Sequence, residues 1–479
     1  MIMNIPRILI AGDRSSAGKT TVCIGLLGAL RERGLEVQGF KVGLDYIDPG
    51  FHTLVSDRPS RNLDGFLMPA DTVKELFIRS CEGADIAVIE GVRGLYEGLN
   101  YFDDTGSTAQ IAKILHCPVI LVIDAGSITR SVAAVVNGYK SFDPEVQMSG
   151  VILNNIGSER HGEKAEKAVE KYCGVKVIGK IPRKRELGIS MRHLGLITAT
   201  ECKNRGQDFD VVLNEIKKSV NEGVDVKMLF EVAKSARALK TPEARIFHAD
   251  RNEGAKVRIA VAFDEAFNFY YQDTLDLLAL EGAELVYFSP IRDKKLPGGV
   301  DAVYIGGGFP EIYAAELSLN TQMLDYLRNF YEGYGVIYAE CGGLMYLMEQ
   351  LEYKPLRGRG AELHKGGSFE MCGVIKGLAR MGGEKRVINY VEGEFRKDCI
   401  LGKKGSRFKG HEFHHSKILL EDMANVDFAY KILRGEGIKD GMDGIITKNC
   451  LASFVHLHAA SYTGFAENFV RSARTKVVV

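Results

Sequence analysis

RILIAGDRSSAGKTT, residues 7–21, joins a short apolar run to a glycine-bearing turn and then to Gly18-Lys19-Thr20, where a helical pattern begins. A strand, a turn and a helix in that order gather backbone N–H groups and a helix N-terminus around a phosphate. Gly12, Gly18, Lys19, Thr20 and Thr21 are therefore read as a nucleotide-binding set. Lys19 would reach the terminal phosphates of ATP, and the Thr20 hydroxyl would ligate Mg²⁺. One departure from the usual spacing is that Gly12 lies six positions before Gly18, with Asp13 where the first glycine normally stands. Variant loops also occur in partitioning and switch ATPases. Those carry an additional lysine near the start of the loop, and Gly12 to Ala17 contains none.

Working outward, short β-branched runs alternate with helical patterns through the first 200 residues. The strands are expected at 7–11, 37–41, 86–90, 119–124, 150–154 and 177–181. Runs that are apolar on both faces predict a parallel sheet covered by helices on both sides. A second series, at 258–263, 283–289, 302–306 and 335–339, predicts another such domain. The fold class is thus α/β with two doubly wound domains, 1–222 and 256–479. The charged, strand-poor stretch 223–255 is read as a linker.

Composition bounds the function. Lys plus Arg and Asp plus Glu are both 62, giving zero formal net charge, so nucleic acid and anionic membrane are poor partners. No run reaches the roughly 18 apolar residues of a membrane span, and no signal segment opens the chain, so a cytoplasmic location is expected. Nine scattered cysteines without a CxxC pair fit reduced thiols.

FKVGLDYIDPGFH (40–52) and EGVRGLYEG (90–98) flank the phosphate loop in this scheme. Glu90, at a strand end, can bind or orient Mg²⁺. Lys41 would neutralise a transferring phosphoryl group or a substrate carboxylate, and Asp45 and Asp48 could hold the metal. Assigning Asp45 to Mg²⁺ with Thr20 and Glu90, and Asp48 to substrate activation, is one division the pattern allows.

Far downstream, VIYAECGG (336–343) puts Cys341 in a tight turn between a strand and a helix. Small neighbours permit a strained elbow that presents a side chain at a helix N-terminus, a setting that favours a thiolate. Upstream, YIGGGFPE (304–311) ends another strand in glycines, and the amides of Gly307 and Gly308 would form an oxyanion hole. A base is needed. GHEFHHS (410–416) and SFVHLH (453–458) supply histidines, and His456, after an apolar run, is the better partner for Cys341. Neither cluster has the accompanying ligands that would mark a metal site. The other eight cysteines are read as small core residues.

Together these strings, with GVILNNIGSERH (150–161), MRHLGL (191–196) and VAFDEAFNFYY (261–271), closely resemble the cobyrinic acid a,c-diamide synthases, including the nickel-sirohydrochlorin a,c-diamide synthases of methane-forming archaea. The resemblance covers nearly the whole chain. It implies an N-terminal half like dethiobiotin synthetase, where a shifted loop glycine is a known variant, and a C-terminal half like a class I glutamine amidotransferase. The implied activity is an ATP-, Mg²⁺- and glutamine-dependent ligase that amidates the a and c acetate arms of a tetrapyrrole polycarboxylate through an acyl phosphate. A homodimer is compatible with it. Many such amidotransferases continue the histidine motif as HxE, but here the third position is His458, which leaves the third member of the Cys–His site open. Two substrates fit the resemblance, cobyrinate and nickel sirohydrochlorin; the later-acting cobyric acid synthases differ at KVGLDYIDP. Arg93, where methionine is frequent in this family, suggests a partner for an additional carboxylate on a less modified ring.

Overall fold

The computed structural model describes residues 2–183, 198–205, 207–243, 245–247, 256–354, 366–382, 386–422 and 426–475. The chain divides into two compact units, Met1–Ala244 and Arg245–Val479. MRHLGL lies outside the described residues.

In the first unit seven strands form one parallel sheet in the order Arg61–Leu63, Val37–Val42, Ile86–Glu90, Arg7–Gly12, Val119–Asp124, Met148–Ile156 and Val177–Pro182. The central strands are buried at every position, as the unbroken apolar runs require. Helix Lys19–Arg31 packs on one face together with residues of Gln207–Gly223 and Val226–Lys234. Gly25 makes the close approach possible, since a Cβ there would stand 2.3 Å from the Val220 side chain. The short strand Arg61–Leu63 had no apolar run long enough to betray it.

Much of the stretch expected to be a linker is built into this unit. Val226, Leu229 and Ala233 occupy one face of helix Val226–Lys234 and are buried in the core, so amphipathic periodicity, not charge content, decides its place. Leu239–Lys240 pairs antiparallel with Ile2–Met3. The fully buried Arg7 guanidinium clamps this end by donating to the carbonyls of Ile5, Leu115 and Arg237. Residues 244 and 248–255 are outside the described set.

In the second unit, five parallel strands in the order Ala283–Phe288, Val257–Ala262, Ala302–Ile305, Val336–Glu340 and Cys450–Ser453 continue into five antiparallel ones. These are Met442–Thr447, Asp427–Arg434, Val387–Phe395, Arg407–His414 and His456–Leu457. A separate four-stranded sheet contains Gly367–Glu370, Met348–Tyr353, Ile375–Met381 and Ser416–Leu420. The sequence located four of the five parallel strands, missing Cys450–Ser453, and gave no range for the antiparallel ones. Strands such as RFKGHEFH alternate buried and exposed positions and carry charge on the wet face, so they lack the continuous apolar signal.

Candidate functional site

Both candidate sites lie at the carboxyl ends of neighbouring parallel strands, the place where an α/β sheet opens a crevice. In the first unit the strands ending at Val42, Glu90 and Gly12 are adjacent, with Lys41 in register with Glu90 and Glu90 with Ile10. Helix Lys19–Arg31 starts after Gly18, whose φ of 99° only glycine adopts readily. Its missing side chain matters as well, because a Cβ would meet the Asn154 amide at 2.1 Å. Lys19 folds back over the loop to the Arg14 carbonyl at 3.3 Å, beside Gly12, where a Cβ would be 3.0 Å from its Nζ. Burial, then the neighbouring Lys41, lowers the pKa of Lys19. This is a cradle for anions shaped by glycine and aimed by a helix N-terminus. Thr21 is half-buried in the first turn of that helix.

Against the cradle sits a buried charge cluster. Lys41 Nζ lies 2.5 Å from Asp48 Oδ2 and 2.7 Å from Glu90 Oε1. Thr20 Oγ1 donates to Glu90 Oε1 at 2.6 Å and lies 3.4 Å from Asp48 Oδ2. Burial alone would lower the Lys41 pKa, but Asp48 and Glu90 outweigh it and push it well above its ordinary value. Burial would likewise raise Glu90, yet Lys41 and then His52 hold it below the usual carboxylate range. Asp48, pushed up first by burial and then by Glu90, is raised to about 8. Two carboxylates and one lysine, with Lys41 and Glu90 buried and Asp48 partly so, cannot both satisfy charge balance and stay fully ionised.

Thr20, Lys41, Asp48 and Glu90 thus come together. Asp45 plays a different part: its Oδ1 accepts the amides of Ile47 and Asp48 and starts helix Ile47–Ser56, which carries Asp48 inward. Sequence reasoning passed over His52, whose Nε2 is 2.7 Å from Glu90 Oε2. Its signal was available, since four residues separate Asp48 and His52 on one helix and so place them on one face. The donor set of Thr20 hydroxyl, Asp48 and Glu90 consists of hard oxygens packed within contact distance of one another, which fits Mg²⁺. Arg93 is exposed, at φ 50°, in the turn after Glu90. That turn is tied to the loop by Leu95 N donating to Gly12 O at 3.0 Å.

In the second unit, Gly307 and Gly308, Cys341 and His456 follow three neighbouring parallel strands. Cys341 has φ 48° and ψ −97°, a backbone conformation that an L-residue holds only when its surroundings enforce it. The enforcement is visible. Cys341 N donates to Ser453 O at 2.7 Å, and Gly343 N donates to Gly306 O at 3.1 Å. Gly308 N stands 3.0 Å from where a Gly342 Cβ would be, and a Cβ on Gly307 would be 2.5 Å from His456 Cε1. The glycine loop, thiol and imidazole are therefore one cluster. A Cβ on Gly343 would lie 2.3 Å from the Ile305 carbonyl, a backbone atom that cannot swing aside. Gly343→Ala is expected to destabilise this unit by about 1–3 kcal/mol, read as a lowered transition in calorimetry; an unchanged transition would mean that the elbow is not tightly determined.

His456 hydrogen-bonds Cys341 and interacts with Glu340, whose Oε2 is 3.7 Å from Nδ1. Burial would lower the imidazole pKa, but these two partners reverse the effect and raise it to about 10. Three further histidines serve the surroundings. His411 stacks on His456 at 4.7 Å, His414 stacks on Phe454 at 3.7 Å, and His458 packs on Tyr271 with Asp273 Oδ2 at 3.7 Å. All nine cysteines are free; apart from Cys341, seven are buried and Cys399 is half-buried.

Comparison with known proteins places both units. Residues 8–196 match the family described as the CobQ/CobB/MinD/ParA nucleotide binding domain. Residues 258–463 match the CobB/CobQ-like glutamine amidotransferase domain. The chain is 52% identical to the cobyrinate a,c-diamide synthase of Methanosarcina barkeri, covering 99% of this chain and 97% of that one. It is 51% identical to that of Methanosarcina acetivorans over 98% and 96% of the two chains. Against that of Methanothermobacter thermautotrophicus it is 43% identical over 98% and 99%.

Proposed function

The chain belongs to the cobyrinate a,c-diamide synthase family, glutamine-dependent ligases with a nucleotide-binding domain, and from that premise we propose that it activates carboxylates of a tetrapyrrole with ATP and converts them to amides with ammonia drawn from glutamine. The observation that carries this is the Lys41–Asp48–Glu90–Thr20 cluster, buried at Lys41 and Glu90, set against the phosphate cradle. A cradle alone would suit any nucleotide-dependent switch. A buried cation beside it, held by two carboxylates, suits a reaction in which negative charge moves between a phosphoryl group and an acceptor carboxylate.

A carboxylate resists a nucleophile because of its charge and resonance. Transfer of the γ-phosphoryl group of ATP to a carboxylate oxygen gives an acyl phosphate and ADP, and ammonia then displaces phosphate to leave the amide. Lys19 and the loop amides hold the phosphates, and Lys41 offsets charge where donor and acceptor oxygens meet. Bound Mg²⁺ would be held by Thr20, Asp48 and Glu90 and would supply charge neutralisation. His52 fixes Glu90 from behind. At the other site the Cys341 thiolate attacks the side-chain amide of glutamine. His456 gives its proton to the departing ammonia, the Gly307 and Gly308 amides stabilise the oxyanion, and water hydrolyses the thioester to glutamate.

The relatives' names carry cobyrinate, and that is the first macrocycle to offer. Arg93 favours a second, nickel sirohydrochlorin: an exposed guanidinium in the turn bonded to the phosphate loop can pair with a carboxylate of a less modified ring. Incubation with ATP, Mg²⁺ and glutamine, offering each ring separately, should give products in which two carboxyl groups have become amides. ATP hydrolysis without amidation of either ring would point instead to a switch ATPase. Arg93→Met is expected to move preference toward cobyrinate by about tenfold in kcat/KM, the scale of one exposed charge contact; an unchanged ratio between the rings removes Arg93 from specificity.

A further inference from the structure

We propose that Glu340, the residue immediately before the nucleophile, is the carboxylate that positions His456. This inference rests on the reading of Cys341 and His456 as the glutaminase pair. It goes beyond that reading by assigning the role that the residue two positions after the histidine cannot fill, because position 458 is itself a histidine.

The geometry begins with strand alternation. Tyr338 and Glu340 are two residues apart on strand Val336–Glu340 and so share a face. The chain then leaves the strand through the strained elbow at Cys341. Adjacent residues can therefore approach one imidazole from different sides. Glu340 is held by three donors: Tyr338 Oη at 2.6 Å and Leu457 N at 2.9 Å on Oε1, and Tyr304 Oη at 3.0 Å on Oε2. Burial, and then the Glu340 carboxylate, pushes both phenols well above their ordinary pKa, so they remain donors. The Leu457 amide belongs to the residue next to His456, so the same carboxylate grips the histidine's backbone as well as facing its ring.

Glu340 and His456 are each 2% exposed, and Oε2 faces Nδ1 at 3.7 Å. That is ion-pair distance for a ring that carries its proton. With Nδ1 turned to Glu340, Nε2 is left for the thiol. The other titratable groups facing His456 are Cys341, His411 and His414, with His458 beyond His411. Burial holds His411 and His414 below the ordinary histidine pKa, so neither competes as a charged partner. Asp273 is directed to His458. The carboxylate at ion-pair distance from His456 is thus Glu340.

Glu340→Gln keeps the shape and one acceptor oxygen while removing the charge. In the full-length enzyme, glutamine-supported amidation should fall on the order of 10²-fold in kcat, with ammonia-supported amidation unchanged. The alkaline limb of the glutamine-supported pH profile should also move to lower pH, because a charge that raises the His456 pKa has gone. Glu340→Asp, which retains the charge on a shorter arm, should recover part of the rate and most of the profile. Wild-type glutamine kinetics with an unmoved alkaline limb in Glu340→Gln would overturn the assignment. So would equal loss from both nitrogen sources with an unmoved limb, the mark of a purely structural carboxylate. Failure of the underlying reading would look different, since glutamine would still be used by Cys341→Ala.

Discussion

Cys341→Ala should abolish glutamine-supported amidation, by at least on the order of 10³-fold, while ammonia-supported amidation stays within about twofold of the parent. The asymmetry follows from where the residue sits. Cys341 is held at the end of the strand Val336–Glu340 by bonds to Ser453 and by glycines that no other residue can replace without colliding with backbone. Around it, among the described residues, stand the groups that the proposed amide cleavage calls for: an imidazole, a glycine loop and a carboxylate. The phosphate cradle and the Lys41 cluster belong to a unit with its own sheet and its own core, so removing one sulfur atom leaves them as they were. The measurement is product formation with glutamine or with ammonium salt as nitrogen source, at a pH where free ammonia is present. Loss of both activities together would mean that the thiol does more than release ammonia. Retention of glutamine use would mean that another group is the nucleophile.

The two sites were not equally legible in the sequence, for a physical reason. Where function is carried by backbone, the sequence announces it: Gly18 and Gly343 are needed because a Cβ would strike Asn154 or Ile305, and runs of glycine beside a strand record that need. Where function is carried by a buried carboxylate, the sequence is nearly silent. Glu340 and Glu90 are both the last residues of apolar strands, yet only Glu90 invited a role, because the phosphate loop had already fixed what it would face. What Glu340 faces is decided by Tyr304 and Leu457, distant in sequence and adjacent only in the folded sheet. The aspartates show the same limit at closer range. Asp45 and Asp48 are indistinguishable as letters in KVGLDYIDP, and it takes the helix that Asp45 starts to point Asp48 at Lys41. The antiparallel strands of the second unit escaped for a related cause: strands such as Arg407–His414 mix exposed with buried positions, so their pattern is shared with loops.

Lys41→Met should have the opposite signature to Cys341→Ala: amidation should fall about 10²- to 10³-fold with either nitrogen source, while glutamine hydrolysis measured alone persists. The lysine is almost wholly buried and its ammonium touches Asp48 and Glu90 at 2.5 and 2.7 Å; in the proposed reaction its charge stands where phosphoryl and carboxylate oxygens meet. Stability must be separated from chemistry, because removing one member of a buried charge set leaves the others uncompensated at a cost of about 3–5 kcal/mol. The double variant Lys41→Met with Glu90→Gln removes that imbalance. In the single variant, loss of Lys41 removes the main cause holding Glu90 below the usual carboxylate range, so burial raises it and makes it take up a proton; in the double variant that carboxyl group is gone. The sign of the pH effect follows. A carboxylate with a depressed pKa stabilises the fold above its unfolded pKa and loses that contribution as pH falls through the folded value. The parent's contribution from Glu90 therefore persists into acid, and the single variant's does not. Thermal unfolding should show the single variant losing stability and the double variant recovering part of it, with amidation still reduced in both. Recovery of amidation alongside stability would place Lys41 in the architecture of the cluster and outside the chemistry.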